Sequence, residues 1–284
     1  VNPGIVYASI SGYGQTGPYA DKPAHDPQIQ GMSGLMDING DADGPPLKVG
    51  FYIGDLVTPI FACYAILAAL REKDRTGQGQ YLDVSMVDTL VSLMFMENLE
   101  ENIEDGVPLR TGNISRSGPT GLYSAKDGEL SVTMTSDDQW RRFCNALEAP
   151  QLSEDERFST YVSRTVNVES ARQEIQRLIG QLTLEEALNR LGENDVPCAP
   201  VRTAEQVMND KQFWDRGSLI PMRHASMKEP VKGVGSGFPI RFSGGELPEL
   251  PGAPTLGMHN REVFSHVLGL GKAELEELAE QGVI

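Results

Sequence analysis

The chain has 284 residues, 39% of them hydrophobic and 23% charged, which suits one or two soluble globular domains. Its formal net charge of −16 argues against nucleic acid and anionic membrane surfaces as general partners. It leaves room for an anionic small ligand, because local donors outweigh a distant net charge. The cysteines, Cys63, Cys144 and Cys198, are odd in number and widely spaced, which suggests reduced thiols in the cytosol rather than a disulfide framework.

Val1-Asn2-Pro3-Gly4 leads straight into a strand-like run with no initiator Met and no signal-peptide pattern, as expected of a processed or excised piece of a longer protein. Ile5 to Ile10 reads as a buried strand, and a loop from Ser11 to Asp26 follows. Residues from about Gln28 to Met36 predict a short helix, and Asp37 to Pro46 a turn-rich acidic loop. Leu56 to Lys73 predicts a long helix, with Thr58 as cap, Pro59 in the first turn and Gly77 past the end. The apolar stretch Leu56 to Leu70 is too short to span a bilayer. Tyr81 to Met86 alternates like a strand, and Val87, Leu90, Val91 and Met94 recur at helical period. This α/β alternation implies layers of sheet and helix.

Asn102 to Gly121 is loop-rich. Leu122 to Thr135 predicts a hairpin turning at Asp127-Gly128. Helices are expected around Asp137 to Leu147, Val168 to Leu182 and Leu184 to Leu191, then an extended Pro/Gly-rich stretch from Pro221 to Pro254. Two short helices, Arg261 to Leu268 and Lys272 to Glu280, end the chain.

Gly12, Gly14 and Gly17 spell G-x-G-x-x-G after the first strand. A dinucleotide loop must open a helix, yet Pro18, Pro23 and Pro27 follow, and interior prolines break helices. A tight backbone turn close to a ligand or another segment fits better. The stretch from Asp37 to Gly44 mimics a calcium loop, but Ala42 stands at the glycine position and Lys48 at the bidentate glutamate position. No Cys/His cluster has metal-ligand spacing.

Four blocks, "SGYGQTGPYADKPAHDPQIQGMSGLM", "REKDRTGQGQYLDVSMVDTL", "VPCAPVRT" and "APTLGMHNREVFSHVLGL…GVI", occur in this order along the chain. They resemble the class III CoA-transferases, the CaiB/BaiF family, which includes formyl-CoA and carnitine-CoA transferases and the α-methylacyl-CoA racemase branch. The resemblance implies an α/β fold with a Rossmann-like large domain and a smaller α+β domain. It places residues 1–108 in the large domain, 109–217 in the small one and 218–284 in a return to the large one. Full-length members carry a further N-terminal stretch that is lacking here, and much of their contact with the CoA nucleotide comes from it. The resemblance also implies an interlocked homodimer in the cytoplasm and no permanent cofactor. Coenzyme A is then a cosubstrate, shared between an acyl-CoA and a small carboxylic acid.

Asp55, in "YIGDLVTP", stands at the position of the transferase nucleophile. It precedes a predicted helix start, whose partial positive charge favours a carboxylate, and Gly54 leaves room for substrate. A plain helix cap is the alternative reading of Asp55. His25-Asp26 matches a His-Asp pair of the racemases, which use the histidine and the downstream aspartate as an acid/base pair at the α-carbon; transferases usually have Tyr or Phe there. His25 therefore either moves a proton or only donates a hydrogen bond to a carboxylate substrate. Lys22 is a candidate partner for a phosphate or carboxylate, against the plain alternative of a surface lysine. Tyr13 and Gln15, on the same loop, are candidate contacts to pantetheine or substrate. Gly112 and Gly118 flank a stretch in the position of the family's lid, with Arg116 inside it as a solvated loop residue or a carboxylate contact. Cys198 reads as packing, "SLMFMEN" as core and His259 as structural. Three functions compete: CoA transfer, acyl-CoA racemisation, and an incomplete chain that only dimerises.

Overall fold

The computed structural model describes residues 2–95, 99–106, 108–115, 118–227, 229–245 and 252–284. It divides into two compact units, residues 1–201 and 202–284. The first unit opens with β1 (Val6–Ser11), α1 (Asp26–Met32), α2 (Leu35–Ile38), α3 (Ile53–Thr76), β2 (Gln80–Ser85), α4 (Met86–Met94) and α5 (Leu99–Glu104). It continues with β3 (Gly121–Ser124), β4 (Glu129–Val132), α6 (Asp137–Ala146), α7 (Gln151–Glu154), α8 (Tyr161–Val166), α9 (Val168–Ile179), α10 (Leu184–Glu193) and β5 (Cys198–Pro200). The second unit holds α11 (Ala204–Met208), α12 (Lys211–Asp215), β6 (Leu219–Pro221), β7 (Val234–Ser236), α13 (Asn260–Leu268) and α14 (Lys272–Glu280). The mixed α/β class expected from the alternation is therefore present.

β1 and β2 pair in parallel, from Val6 with Gln80 to Ser11 with Ser85. Parallel neighbours need a crossover, and α3 supplies it by packing along both strands. The helix begins at Ile53, earlier than the sequence suggests. Thr58 does not cap it: this residue lies inside the helix, fully buried, with no hydrogen-bond partner for its hydroxyl. Pro59 is likewise interior, where its missing N–H leaves the carbonyl of Asp55 without a helical donor. At the other end Gly77 closes the helix in the left-handed conformation, φ 74°, as expected.

With 24 residues, α3 is long and apolar enough by length and composition to cross a membrane, which corrects the reading of the shorter stretch. Both of its ends nevertheless return to one hydrogen-bonded strand pair, so here it lies along a sheet. Ala62 and Ala69 are buried, while Leu56, Ile60, Tyr64 and Leu67 are more than half exposed. β1 is not the buried strand expected either. Its Tyr7 is 56% exposed and stacks on the paired Tyr81, ring centroids 5.6 Å apart.

β3, β4 and β5 form an antiparallel sheet with the predicted turn at Asp127-Gly128. The densest core lies against it. Leu130, Val132, Met134, Trp140, Phe143, Phe158, Ile175, Ile179 and Leu191 are all fully buried. Amphipathic faces of α6, α9 and α10 deliver Trp140, Phe143, Ile175, Ile179 and Leu191, and Ser136 and Thr183 cap α6 and α10 by accepting the Gln139 and Glu186 amides.

One charge sits inside this core. Arg164 has no exposed side-chain surface; its guanidinium donates to Phe158 O and Asp137 Oδ1, each at 2.8 Å, and lies 5.4 Å from the Trp140 ring. Burial also pushes the nearby Cys144 thiol up to about 12. Only the arginine of this pair is buried; the Asp137 side chain is half exposed, and removing it leaves the buried guanidinium without its carboxylate partner. Asp137→Ala is therefore expected to cost about 1–3 kcal/mol in urea unfolding, and adding Arg164→Met is expected to recover much of that loss. Equal stability of the wild type and Asp137→Ala would show that the pair carries no such strain.

Candidate active site

Asp55 is the third residue of α3 and is exposed. It thus sits within the first turn rather than ahead of the helix, where unpaired amides give a partial positive charge that suits a carboxylate. The turn is fixed from outside the helix. The Gly54 N–H donates to Oδ1 of Asp26 at 2.6 Å. Asp26 is itself the first residue of α1 and only 2% exposed. Its other oxygen, Oδ2, accepts from Nε2 of the fully buried Gln30 at 2.6 Å. Gln30 also donates to Phe51 O at 3.3 Å and accepts from the Val49 N–H at 2.9 Å. The strand of chain that enters α3 is thereby stitched to α1.

This stitching brings the two principal sequence candidates together. Asp26 follows His25 and Gly54 precedes Asp55, so one 2.6 Å hydrogen bond ties the start of α1, where His25 stands, to the first turn of α3, which carries Asp55. His25 is exposed at the start of α1; its own N–H donates to Gln28 Oε1 at 3.2 Å, and its carbonyl receives the Gln28 and Ile29 amides. Gly54 is buried, and the space beside it is taken by this chain's own atoms. A Cβ there would stand 3.0 Å from Asp26 Oδ1 and 3.3 Å from Met86 Cε. The glycine makes room for Asp26 rather than for substrate.

The loop after β1 explains the three glycines. Gly14 and Gly17 have φ of +83° and +90°, a region that side chains disfavour. Gly12 serves close approach, because a Cβ on it would overlap the Cβ of Ala24. The loop therefore folds back on itself beside α1. Ser11 Oγ accepts the Gly14 N–H at 3.0 Å, and Asp83 Oδ2 on β2 accepts the Gln15 N–H at 2.8 Å. Gln15 is thus anchored through its main chain and its side chain is exposed. Tyr13 packs against Tyr19, centroids 5.8 Å apart, and Lys22 Nζ lies 4.2 Å from the Tyr19 ring centroid. Lys22, Tyr13 and Tyr19 form one cluster and His25, Asp26 and Gly54-Asp55 another, joined by the fold of this loop.

The remaining candidates separate from these clusters. Cys198 lies on β5 opposite Val132 and packs against the core, and burial raises its thiol, the wrong direction for a nucleophile. Gly112 and Gly118 both have positive φ, while Arg116 lies outside the described residues. Of "SLMFMEN", Met94 is buried but Leu93 and Phe95 are exposed, so the core reading holds for Met94 and not for its neighbours; 96–98 lie outside the described residues. His259 stands at the start of α13. Among the described residues no group of His, Cys, Asp and Glu is placed to hold a metal.

The profile of a family described as CoA-transferase family III matches residues 1–260. The chain belongs to that family. It is 33% identical over 94% of its length to a succinate–glutarate CoA-transferase of Agrobacterium fabrum, covering 66% of that protein. It is 34% identical over 97% of its length to a succinyl-CoA:mesaconate CoA-transferase of Haloarcula hispanica, covering 70% of it. A formyl-CoA:oxalate CoA-transferase of Streptomyces coelicolor is 32% identical, with all of this chain and 72% of that protein aligned. The chain thus spans about two thirds of the length of these relatives. A CAIB/BAIF family protein of Brucella suis has the same fold, with a TM-score of 0.77 and 30% identity over 94% of this chain and 68% of that one. A Mycobacterium tuberculosis protein, at 22% identity and a TM-score of 0.79 over 92% of this chain and 69% of that one, shares the fold. The sequence resemblance to class III CoA-transferases and the fold it implies are both borne out.

Sequence reasoning took Asp26 only as the companion of His25 and missed Gln30 altogether. The one local signal was a charged residue directly before Pro27 and four positions from the Gln30 amide, at the start of a helix. The glycine pattern generates a measurable contrast. Gly12→Ala is expected to cost about 1–3 kcal/mol in urea unfolding through steric overlap with Ala24. Gly17→Ala has open space around it and is expected to cost about 1–2 kcal/mol through backbone conformation alone. Replacing Ala24 by Gly is expected to relieve the first variant and leave the second unchanged; relief of neither would remove the close-approach explanation.

Proposed function

We propose that this chain transfers coenzyme A from an acyl-CoA thioester to a small carboxylic acid, with Asp55 as the nucleophile. Membership of the family supports CoA transfer, and the relatives named above support it at the level of reaction class. The observation that carries the residue assignment is the Asp26–Gly54 hydrogen bond, which fixes the first turn of α3 around Asp55 while leaving the carboxylate exposed.

The Asp55 carboxylate attacks the thioester carbonyl, the C–S bond breaks and the CoA thiolate leaves, giving a mixed anhydride. The thiolate then attacks the aspartyl carbonyl and expels the first acid as a carboxylate, so that an aspartyl-CoA thioester remains. The acceptor carboxylate attacks this thioester and releases the thiolate again. In the last step the thiolate attacks the acceptor's acyl carbon, a new acyl-CoA departs, and the Asp55 carboxylate is restored. Each step exchanges one nucleophile for one leaving group. The anionic leaving groups and the free Asp55 carboxylate both benefit from the positive end of α3.

His25 stands at the rim of the same site and serves as a hydrogen-bond donor to the acid substrate. The cluster of Tyr13, Tyr19 and Lys22, with the exposed side chain of Gln15, offers a wall for the pantetheine arm and one cation for a phosphate or carboxylate. The named relatives act on succinate, glutarate, mesaconate or oxalate, which favours a short dicarboxylic acid as acceptor or donor acid. A homodimer in the cytoplasm completes the reading.

The test uses the purified protein. Incubation with succinyl-CoA followed by hydroxylamine is expected to place a hydroxamate on Asp55, read by mass spectrometry, and Asp55→Ala is expected to lose at least about 10³-fold in transfer. His25→Phe is expected to retain transfer within about tenfold, since no proton moves at the α-carbon in this route. Turnover by Asp55→Ala at the wild-type rate would overturn the mechanism. Deuterium entering the α-position of an acyl-CoA in D2O without an acceptor acid, and lost in His25→Phe, would replace it with isomerisation.

A further inference from the structure

Asp26 and Gln30 are polar groups buried where an apolar pair would cost less, and nothing in the transfer steps uses them. Their hydrogen bonds are fully specified. The Val49 N–H needs an acceptor and the Asp26 carboxylate needs a donor, so the Gln30 amide can point only one way: Oε1 to Val49, Nε2 to Asp26 and Phe51. The far oxygen of Asp26 then takes the Gly54 amide. The chain of contacts runs from Val49 and Phe51 through Gln30 and Asp26 to the peptide unit directly before Asp55.

Resting on the assignment of Asp55 as nucleophile, we propose that Asp26 and Gln30 are a positioning relay that sets the orientation of the first turn of α3, and so of the Asp55 carboxylate toward the thioester. The relay acts through backbone, since Asp26 holds the Gly54 N–H and not the Asp55 side chain. Gln30 fixes which way the Asp26 carboxylate faces. Pro59 adds to the need for it. The carbonyl of Asp55 has no helical donor, so the first turn is held more by its N-terminal side than in an ordinary helix. Such a relay affects the rate of attack more than the affinity for the acyl-CoA, because only the reacting group is displaced.

The pattern of donors gives a swap that tests this. In Asp26→Asn the Oδ1 atom still accepts the Gly54 amide, but the new NH₂ group meets the NH₂ of Gln30. Adding Gln30→Glu restores two of the three contacts: the Asn NH₂ donates to one glutamate oxygen and the Val49 N–H to the other, while the Phe51 carbonyl loses its donor. Measured on the purified protein with succinyl-CoA, Asp26→Asn is expected to lower kcat about 10- to 100-fold with KM for the acyl-CoA within about threefold. The double variant is expected to recover part of the lost kcat. The rate of adduct formation on Asp55, followed by intact-protein mass spectrometry, is expected to track kcat through the series. Gly54→Ala presses on the same bond from the other side and decides the matter if Asp26→Asn does not fold. Folded Gly54→Ala with reduced kcat and unchanged KM supports the relay, and wild-type kcat in that variant overturns it. The relay is also overturned if folded Asp26→Asn forms the Asp55 adduct at the wild-type rate, or if the double variant is no faster than the single one. Failure of the underlying nucleophile assignment looks different, because the wild type itself would then form no adduct on Asp55.

Discussion

A buried carboxylate that caps a helix to which it does not belong is the constraint on which the β1–α3–β2 part of the first unit depends. Most helices are capped by the residue just before them. α3 takes its capping acceptor from Asp26, 28 residues upstream of the amide it binds. A carboxylate hidden from water is costly unless its lone pairs are filled. Here two 2.6 Å bonds fill them, and the N-terminal ends of α1 and α3 both lend favourable partial charge. The arrangement converts a cost of burial into a fixed relation between two helix starts. Both starts carry exposed polar side chains, His25 on one and Asp55 on the other.

The two parts of the first unit hold together by different means. Residues 121–201 have a dense aromatic and aliphatic core, with Trp140 stacked on Phe143 at 5.6 Å and a guanidinium sealed beneath them. The β1–α3–β2 part has few fully buried apolar groups, and many of its buried residues are polar: Asp26, Gln30, Ser33, Thr58, Ser85 and Thr89. Its order comes from directional bonds and from glycines that allow backbones to approach. Parallel strands are ordinarily covered on both faces. In this chain the Tyr7–Tyr81 stack and the outer stripe of α3 from Leu56 to Leu67 are open, the kind of apolar surface that serves as a contact area.

Much of this was legible in the sequence wherever the cause is local. The Asp127-Gly128 turn, the left-handed Gly77 and the ends of α6, α10, α13 and α14 follow from residues within a few positions of where they act. The four- to six-residue helices α5, α7, α8, α11 and α12 escaped because such lengths carry no readable period. The start of α3 was misplaced for a deeper reason. Thr58-Pro59 imitates a cap and first turn, but the helix starts at Ile53, five residues before Thr58, where Asp26 supplies a partner from another helix. The same long-range bond hid the use of Gly54. His25 and Asp55 were singled out through resemblance to a family; the bond that ties their neighbours together was not legible, since no spacing rule connects an aspartate to an amide 28 positions away.

The bond between Asp26 and Gly54 has one main-chain partner, and this separates architecture from chemistry. Residue 54 contributes only an amide, so any substitution elsewhere in the turn that keeps that amide in place preserves the frame. Positions 25 and 55, which flank the bond on either side, contribute side chains to solvent and none to the bond itself. These exposed side chains can thus change one at a time without dismantling what aligns them. A scaffold of this kind diversifies cheaply: selection, or a designer, can exchange the residue at the rim for one acid after another while the hidden pair of polar groups stays the same.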